Sequence, residues 1–270
     1  MLRCDTDLDV KDGTLCRWQV LEWTREDAPD LRFIHPPADG PSPPARKSVL
    51  PELGALSARH ESNGKPGAIG YDTTGVWSYG TYQIATKTHT FKSFMHFLKV
   101  HYADFAQVLE GAGGIRAATQ GKKKFRHAWV KLAKEKALAF KDAQHGFIKT
   151  THYDVQVNSL KEDYALDVNA RSRALQNVVW SMAVQHGDGT QTIFENVLKA
   201  QPKGTKLTNI ADADLIHLLY VERSKVEKYF KHSTKGVKAG VKKRFEQEEK
   251  EALKMLREEG GIAPSKASTH

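Results

Sequence analysis

The chain has 270 residues and a mass of 30.2 kDa, enough for one large domain or a medium domain with a small appendage, since domains usually run about 100–200 residues. Its 40% apolar, 9% aromatic and 27% charged residues exclude collagen-like, wholly disordered and coiled-coil-only classes. The 41 Lys+Arg against 32 Asp+Glu leave +9, which suits a polyanionic partner such as nucleic acid, anionic lipid or bacterial cell wall without choosing among them.

The N-terminal MLRCDTDLDV lacks the basic-then-apolar pattern of a signal peptide, and no apolar run approaches the roughly 20 residues that span a bilayer. The expectation is a protein made in the cytoplasm, without membrane insertion. Cys4 and Cys16 are too few for a disulfide scaffold and form no CxxC pair, so they read as ordinary thiols, with one local bridge in an oxidising compartment as the alternative. After the Asp12-Gly13 turn signal, LCRWQVLEW alternates loosely and predicts a strand or hairpin in a small N-terminal appendage, residues 1–35. Pro36, Pro37, Pro41, Pro43 and Pro44 then mark residues 36–47 as an extended linker.

The main domain is expected over 48–258. Leu50, Leu53, Leu56 and the stem of Arg59 fall at helical spacing after Ser48, and Asn63-Gly64 stops the helix just past Glu61. The next stretch, GKPGAIGYDTTGVWSYGTYQIA, is rich in Gly, Thr, Tyr and Trp and predicts a small β-wing. From Thr90 the periodicity is helical. It includes a helix over 126–142 carrying Trp129, Ala133, Ala137 and Phe140, and a strongly apolar central helix over 170–186 that stops at Gly187-Asp188-Gly189. A last helix, 236–257, turns Val237, Val241, Phe245, Ala252 and Leu256 inward and its charges outward, before a polar tail, 259–270, that reads as disordered. The fold class is mainly α, an α+β arrangement of a helical domain with a small β-wing.

Glu61, at a helix end followed by a Gly-rich wing, is placed where burial would raise its pKa and keep a transferable proton near neutral pH. On spacing alone a solvated Glu fits as well. The wider pattern adds to this. SARHESNGKPG followed by WSYGTYQIA resembles the catalytic segment of lysozyme-like peptidoglycan hydrolases, with Glu61-Ser62 and Gly80-Thr81-Tyr82-Gln83 matching the Glu-Ser and Gly-x-x-Gln of lytic transglycosylases. It is closer to the lysozyme-like domains of phage tails and type VI secretion effectors. There the later pieces correspond to Trp180-Ser181, Val184-Gln185-His186-Gly187, and Tyr220 with Arg223, Tyr229 and Phe230. The likeness covers about residues 52–257.

The resemblance implies a lysozyme-like fold with the wing beside a catalytic cleft, and a muramidase whose general acid, Glu61, acts on the bond between N-acetylmuramic acid and N-acetylglucosamine. Gln83 would line the cleft, and Ser62, Tyr79, Thr81, Tyr82, Gln185 and His186 would bind substrate, although aromatic residues in a β-wing such as Tyr79 and Tyr82 also fit a packing role. Asp72, the only carboxylate between Glu61 and Leu98, is the candidate second catalytic group; as a turn cap it has an equally good reading. Thr81-Tyr82 replaces the usual Leu-Met of transglycosylases, which leaves hydrolysis and lytic transglycosylation both open, beside a cell-wall-binding protein without turnover. His186 at a helix C-terminus also fits a structural role.

His60-Glu61 fails the HExxH zinc motif because Gly64 stands at the second histidine position; no metal or cofactor is expected, and no Walker loop, dinucleotide turn or GxSxG is present. Between Gly121 and Thr150, nine Lys/Arg face only Glu135 and Asp142, a solvated basic face suited to an anionic wall polymer, whereas nucleic acid is disfavoured by the absence of a recognised binding motif. The implied partners are peptidoglycan, a secretion or phage-tail component and, for an antibacterial effector, a periplasmic immunity protein. The implied place of action is the periplasm or cell wall after delivery.

Overall fold

A computed structural model describes residues 2–3, 19–20, 52–62, 64–72, 75–87, 89–231 and 233–260. The proline-rich stretch 36–47, Cys4, Cys16, Ser48, Leu50 and the tail beyond Gly260 lie outside the described residues. Near the N-terminus, β1 (Leu2–Arg3) pairs antiparallel with β2 (Gln19–Val20), in agreement with the strand read in LCRWQVLEW.

The helix carrying Glu61 is α1, Ala55–Ser62. Gly54 enters it at φ +80 and lies against Trp180, where a Cβ would stand 2.7 Å from the indole. An otherwise orphaned N–H of its first turn, that of Leu56, donates to Asn177 Oδ1 at 3.3 Å. Its end is closed by Gly64, φ +71, whose N–H reaches back to Ala58 O at 3.0 Å.

The wing follows as a three-stranded antiparallel sheet, β3 (Ile69–Tyr71), β4 (Trp77–Tyr79) and β5 (Ile84–Ala85), with Tyr71 opposite Trp77 and Tyr79 opposite Ile84. Helices then succeed one another: α2 (His89–His101), α3 (Ala103–Gly111), α4 (Gly114–Thr119), α5 (Lys123–Glu135), α6 (Ala137–Ile148), a π-helical turn over Lys149–Tyr153, and α7 (Asp154–Tyr164). After them come α8 (Arg173–His186), α9 (Gly189–Lys199), α10 (Asp212–Arg223), α11 (Val226–Tyr229) and α12 (Lys235–Glu258). The protein is mainly helical with a small antiparallel sheet, the fold class its periodicity predicts. None of the described helices is long and apolar enough to cross a membrane.

The helix expected over 126–142 is two helices. Lys136 leaves helical geometry, at φ −125 and ψ 42, between α5 and α6. Packing requires the break: the Trp129 and Phe140 rings meet edge to face at 4.8 Å, whereas eleven residues of straight helix would separate them by about 16 Å along its axis. Both rings join Phe91, Phe94, Phe125 and Phe147 in an aromatic core, into which the wing inserts Tyr79. The second pole of the core is α8, buried along its whole length from Ala174 to His186 and capped by Ser172, which accepts from Leu175 N.

His152, in the π turn, is buried with its Nδ1 against Thr151 Oγ1 at 2.8 Å, and burial lowers its pKa to about 4. The unfolded chain, with the ordinary value of 6.5, takes up the proton first. The stability of the neutral form is therefore fully present above about pH 6.5 and is lost as pH falls toward about 4, at up to about 1.4 kcal/mol per pH unit. Buried His186, also shifted downward, acts in the same sense. Urea midpoints measured across this range should fall with acid, and His152→Asn should flatten the slope; an unchanged slope would refute the contribution.

Candidate active site

Glu61 lies in the last turn of α1 with its side chain 15% exposed, and its Oε1 accepts from Arg244 Nη2 of α12 at 3.0 Å. Arg244 also donates from Nε to Glu248 Oε1, one turn further along, at 2.7 Å. The other oxygen of Glu248 accepts from Ser181 Oγ of α8 at 3.0 Å and Tyr220 OH of α10 at 3.3 Å, and stands 3.5 Å from Arg223 Nη1. Arg223 in turn donates to Gln185 of α8 and lies over the Phe245 ring at 4.1 Å. Four elements thus converge on a buried row of alternating charge, Glu61, Arg244, Glu248 and Arg223. The side chains of Glu248 and Arg223 have no solvent exposure.

The row sets the electrostatics of Glu61. Burial pushes its pKa up, Arg244 pulls it down, and the Glu248 carboxylate pushes it up again; the net direction is upward. Glu248 moves the opposite way: burial would raise it, but Arg223 and Arg244 hold it below the usual carboxylate range. One carboxyl at the edge of the network is thereby biased to hold a proton while its neighbour is kept ionised. Such a separation of acid strengths is the pattern found where a carboxylic acid donates a proton.

The remaining sequence-predicted residues occupy different places. Ser62 Oγ donates to Thr81 O at 2.7 Å, and Thr81 N donates to Gln144 Oε1 at 2.7 Å, which ties the end of α1 to the wing and the wing to α6. Tyr82 is buried, shares a hydrogen bond with His145 Nδ1 at 3.0 Å, and packs against Trp180. It forms part of a concavity of about 270 Å³ along α1, with Leu53, Ala58, Arg59, Gly64 and the Glu52–Lys141 ion pair. Gln83, at φ +47, accepts from Ser78 Oγ at 2.7 Å and donates to Gly80 O at 3.0 Å, within the wing. Tyr79 is fully buried in the aromatic core, and its hydroxyl donates to Ala118 O at 3.0 Å.

Asp72 stands at the β3–β4 turn, where its Oδ1 accepts from Val76 N at 2.8 Å. Gln185 joins the charged row through Arg223. His186 faces Tyr229, Phe230 and Phe245, and burial, with Arg223 and Arg244 nearby, keeps it neutral. Glu61 and Gln185 therefore share one network, Ser62 and Thr81 a second contact, and Asp72 belongs to the far turn of the wing. Among the described residues no cluster of three or more His, Cys, Asp or Glu side chains is placed to hold a metal.

Arg244 and Glu248 are missing from the sequence reading, which turns the charges of the last helix outward. The correction is physical: Glu248 is fully buried because its position is on the inward stripe, between Phe245 and Ala252 at helical spacing, and paired cations make that burial tolerable. An acid on an apolar stripe was the available signal.

Fold and site define a mainly helical domain with a small antiparallel wing, organised around a buried ion-pair row that ends on a mostly buried carboxyl. Residues 53–250 match the family described as Type VI secretion system spike protein VgrG3-like, C-terminal, and the chain belongs to that family. Over 207 residues it is 31% identical to the type VI secretion system spike protein VgrG3 of Vibrio cholerae serotype O1 (strain ATCC 39315 / El Tor Inaba N16961), a match covering 75% of this chain and 19% of that protein.

Proposed function

We propose that this chain is a peptidoglycan-cleaving glycosidase of muramidase type, acting in the periplasm or at the cell wall after type VI delivery, with Glu61 as its general acid. The observation that carries the reading is the placement of Glu61: a helix-end carboxyl, mostly but not wholly buried, with its pKa raised by burial. In this role Glu61 gives its proton to the glycosidic oxygen as the bond to the anomeric carbon breaks, leaving positive charge on the sugar ring. Arg244 orients the carboxyl and then stabilises the carboxylate that remains. Ser62 and Thr81 fix the junction between α1 and the wing, so that the acid and the wing keep their relative positions. Tyr82, which lines the concavity along α1, and Gln83 of the wing belong to the surroundings through which this reading places the glycan strand, whereas Gln185 and His186 are buried and support the site from behind.

Asp72 is the proposed second group, stabilising the cationic ring or activating water. Its engagement with Val76 N is an observation that favours a second mechanism, lytic transglycosylation, in which the sugar's own hydroxyl attacks and no second carboxylate is needed. Digestion of purified sacculi followed by mass spectrometry separates the readings: reducing muramic ends are expected for hydrolysis and anhydro ends for the lytic route. Cleaved stem peptides or intact sacculi would refute glycosidase action. As an effector, such an enzyme would need a periplasmic immunity protein in the producer. Producer cells that tolerate periplasmic expression with no bound inhibitor would count against that role.

A further inference from the structure

The outer side of the wing carries a surface that the reaction does not use. Tyr71 and Trp77 are direct cross-strand partners, their rings 4.6 Å apart and tilted by 44°. Trp77 is clamped from behind. It lies on Gly121, φ +58, where any Cβ would collide with the indole, and the Arg126 guanidinium covers the ring at 5.0 Å while its Nε donates to Gly121 O at 3.0 Å. The clamped indole supports Tyr71, which remains 63% exposed. Directly after Gly121 come Lys122, Lys123 and Lys124, all exposed and none paired with a carboxylate among the described residues.

We propose that Tyr71, backed by Trp77 and flanked by Lys122–Lys124, is a docking platform for the glycan strand of peptidoglycan. The apolar C–H face of a pyranose ring stacks on a rigid aromatic side chain at little cost in conformational entropy, since the tyrosine is already held by its neighbours. The lysines supply the matching charge: stem peptides hang carboxylates along a peptidoglycan strand, and a neutral polysaccharide offers none. An isolated exposed tyrosine would need no explanation. Here the ring rests on a tryptophan that is itself held by a glycine admitting no side chain and by a stacked arginine, and three exposed lysines follow that glycine directly in sequence. The inference rests on peptidoglycan being the substrate.

The test uses the full chain carrying Glu61→Gln, so that sacculi are not consumed, and measures co-sedimentation with purified sacculi at low and high salt. Tyr71→Ala should weaken binding about tenfold, Tyr71→Phe should restore it, and Lys122→Gln/Lys123→Gln/Lys124→Gln should weaken low-salt binding and reduce its salt dependence. Circular dichroism should be unchanged in all three, because the replaced side chains are exposed. Equal sedimentation of Tyr71→Ala and its parent would overturn the platform, and so would a parent that does not sediment. If sacculi cleaved by the wild-type chain bind parent and Tyr71→Ala alike, the platform alone fails. If sacculi stay intact with the wild-type chain while binding still depends on Tyr71, the glycosidase reading alone fails.

Discussion

Glu61→Gln is expected to abolish release of soluble fragments from peptidoglycan while leaving the fold in place. A general acid contributes about 10²–10⁴-fold to rate, and an amide has no proton to transfer at the pH of the reaction. Structurally the exchange is mild. The amide oxygen can still accept from Arg244 Nη2, and Arg244 keeps its second partner, Glu248, so the cost in stability should stay within about 1 kcal/mol. On the proposed mechanism the activity of the wild-type protein should show an alkaline limb as well. Because burial raises the Glu61 pKa, the protonated form survives above the usual carboxylate range, and activity should fall as pH rises through that raised value. A folded Glu61→Gln protein that clears sacculi at the wild-type rate would refute the assignment. Asp72→Asn should cost about as much if Asp72 activates water, and far less if its work is the turn bond to Val76.

Local signals carried much of this architecture. The stop is a backbone requirement met by Gly64, which takes the left-handed conformation that closes the helix, and it put Glu61 in the last turn of α1. The wing and α8 were equally legible, one from β-branched, aromatic and glycine content, the other from a broad apolar face with Trp180 and Val184 on its flank. What escaped were consequences of distance. The break at Lys136 has no glycine or proline to announce it; it exists because two aromatic residues eleven apart in sequence meet in one core. Likewise nothing local in α12 says that Arg244 reaches an acid 183 residues earlier, or that Ser181, Tyr220 and Arg223 converge on Glu248. Helical spacing places a side chain on a face, and only the assembled fold shows which charge waits there.

That convergence makes Glu248 a central structural residue among those described. Glu248→Leu removes the acceptor for Ser181 Oγ and Tyr220 OH and strips Arg223, which has no solvent exposure, of its counter-ion. Removing one partner of a buried pair costs about 3–5 kcal/mol, a large share of the 5–15 kcal/mol that stabilises a typical domain. Urea unfolding should therefore show a much lower midpoint at an unchanged slope. A double replacement, Glu248→Leu with Arg223→Met, should recover part of the loss, because the stranded cation rather than the missing attraction is the main penalty. The milder Glu248→Gln reports on Glu61 as well. The Glu248 anion pushes the Glu61 pKa upward, so neutralising it leaves Arg244 less opposed and moves the alkaline limb of activity to lower pH. A Glu248→Gln enzyme with an unshifted limb would show that the ionised row does not set the acid strength of Glu61, and a Glu248→Leu protein as stable as wild type would remove the row from the fold's supports.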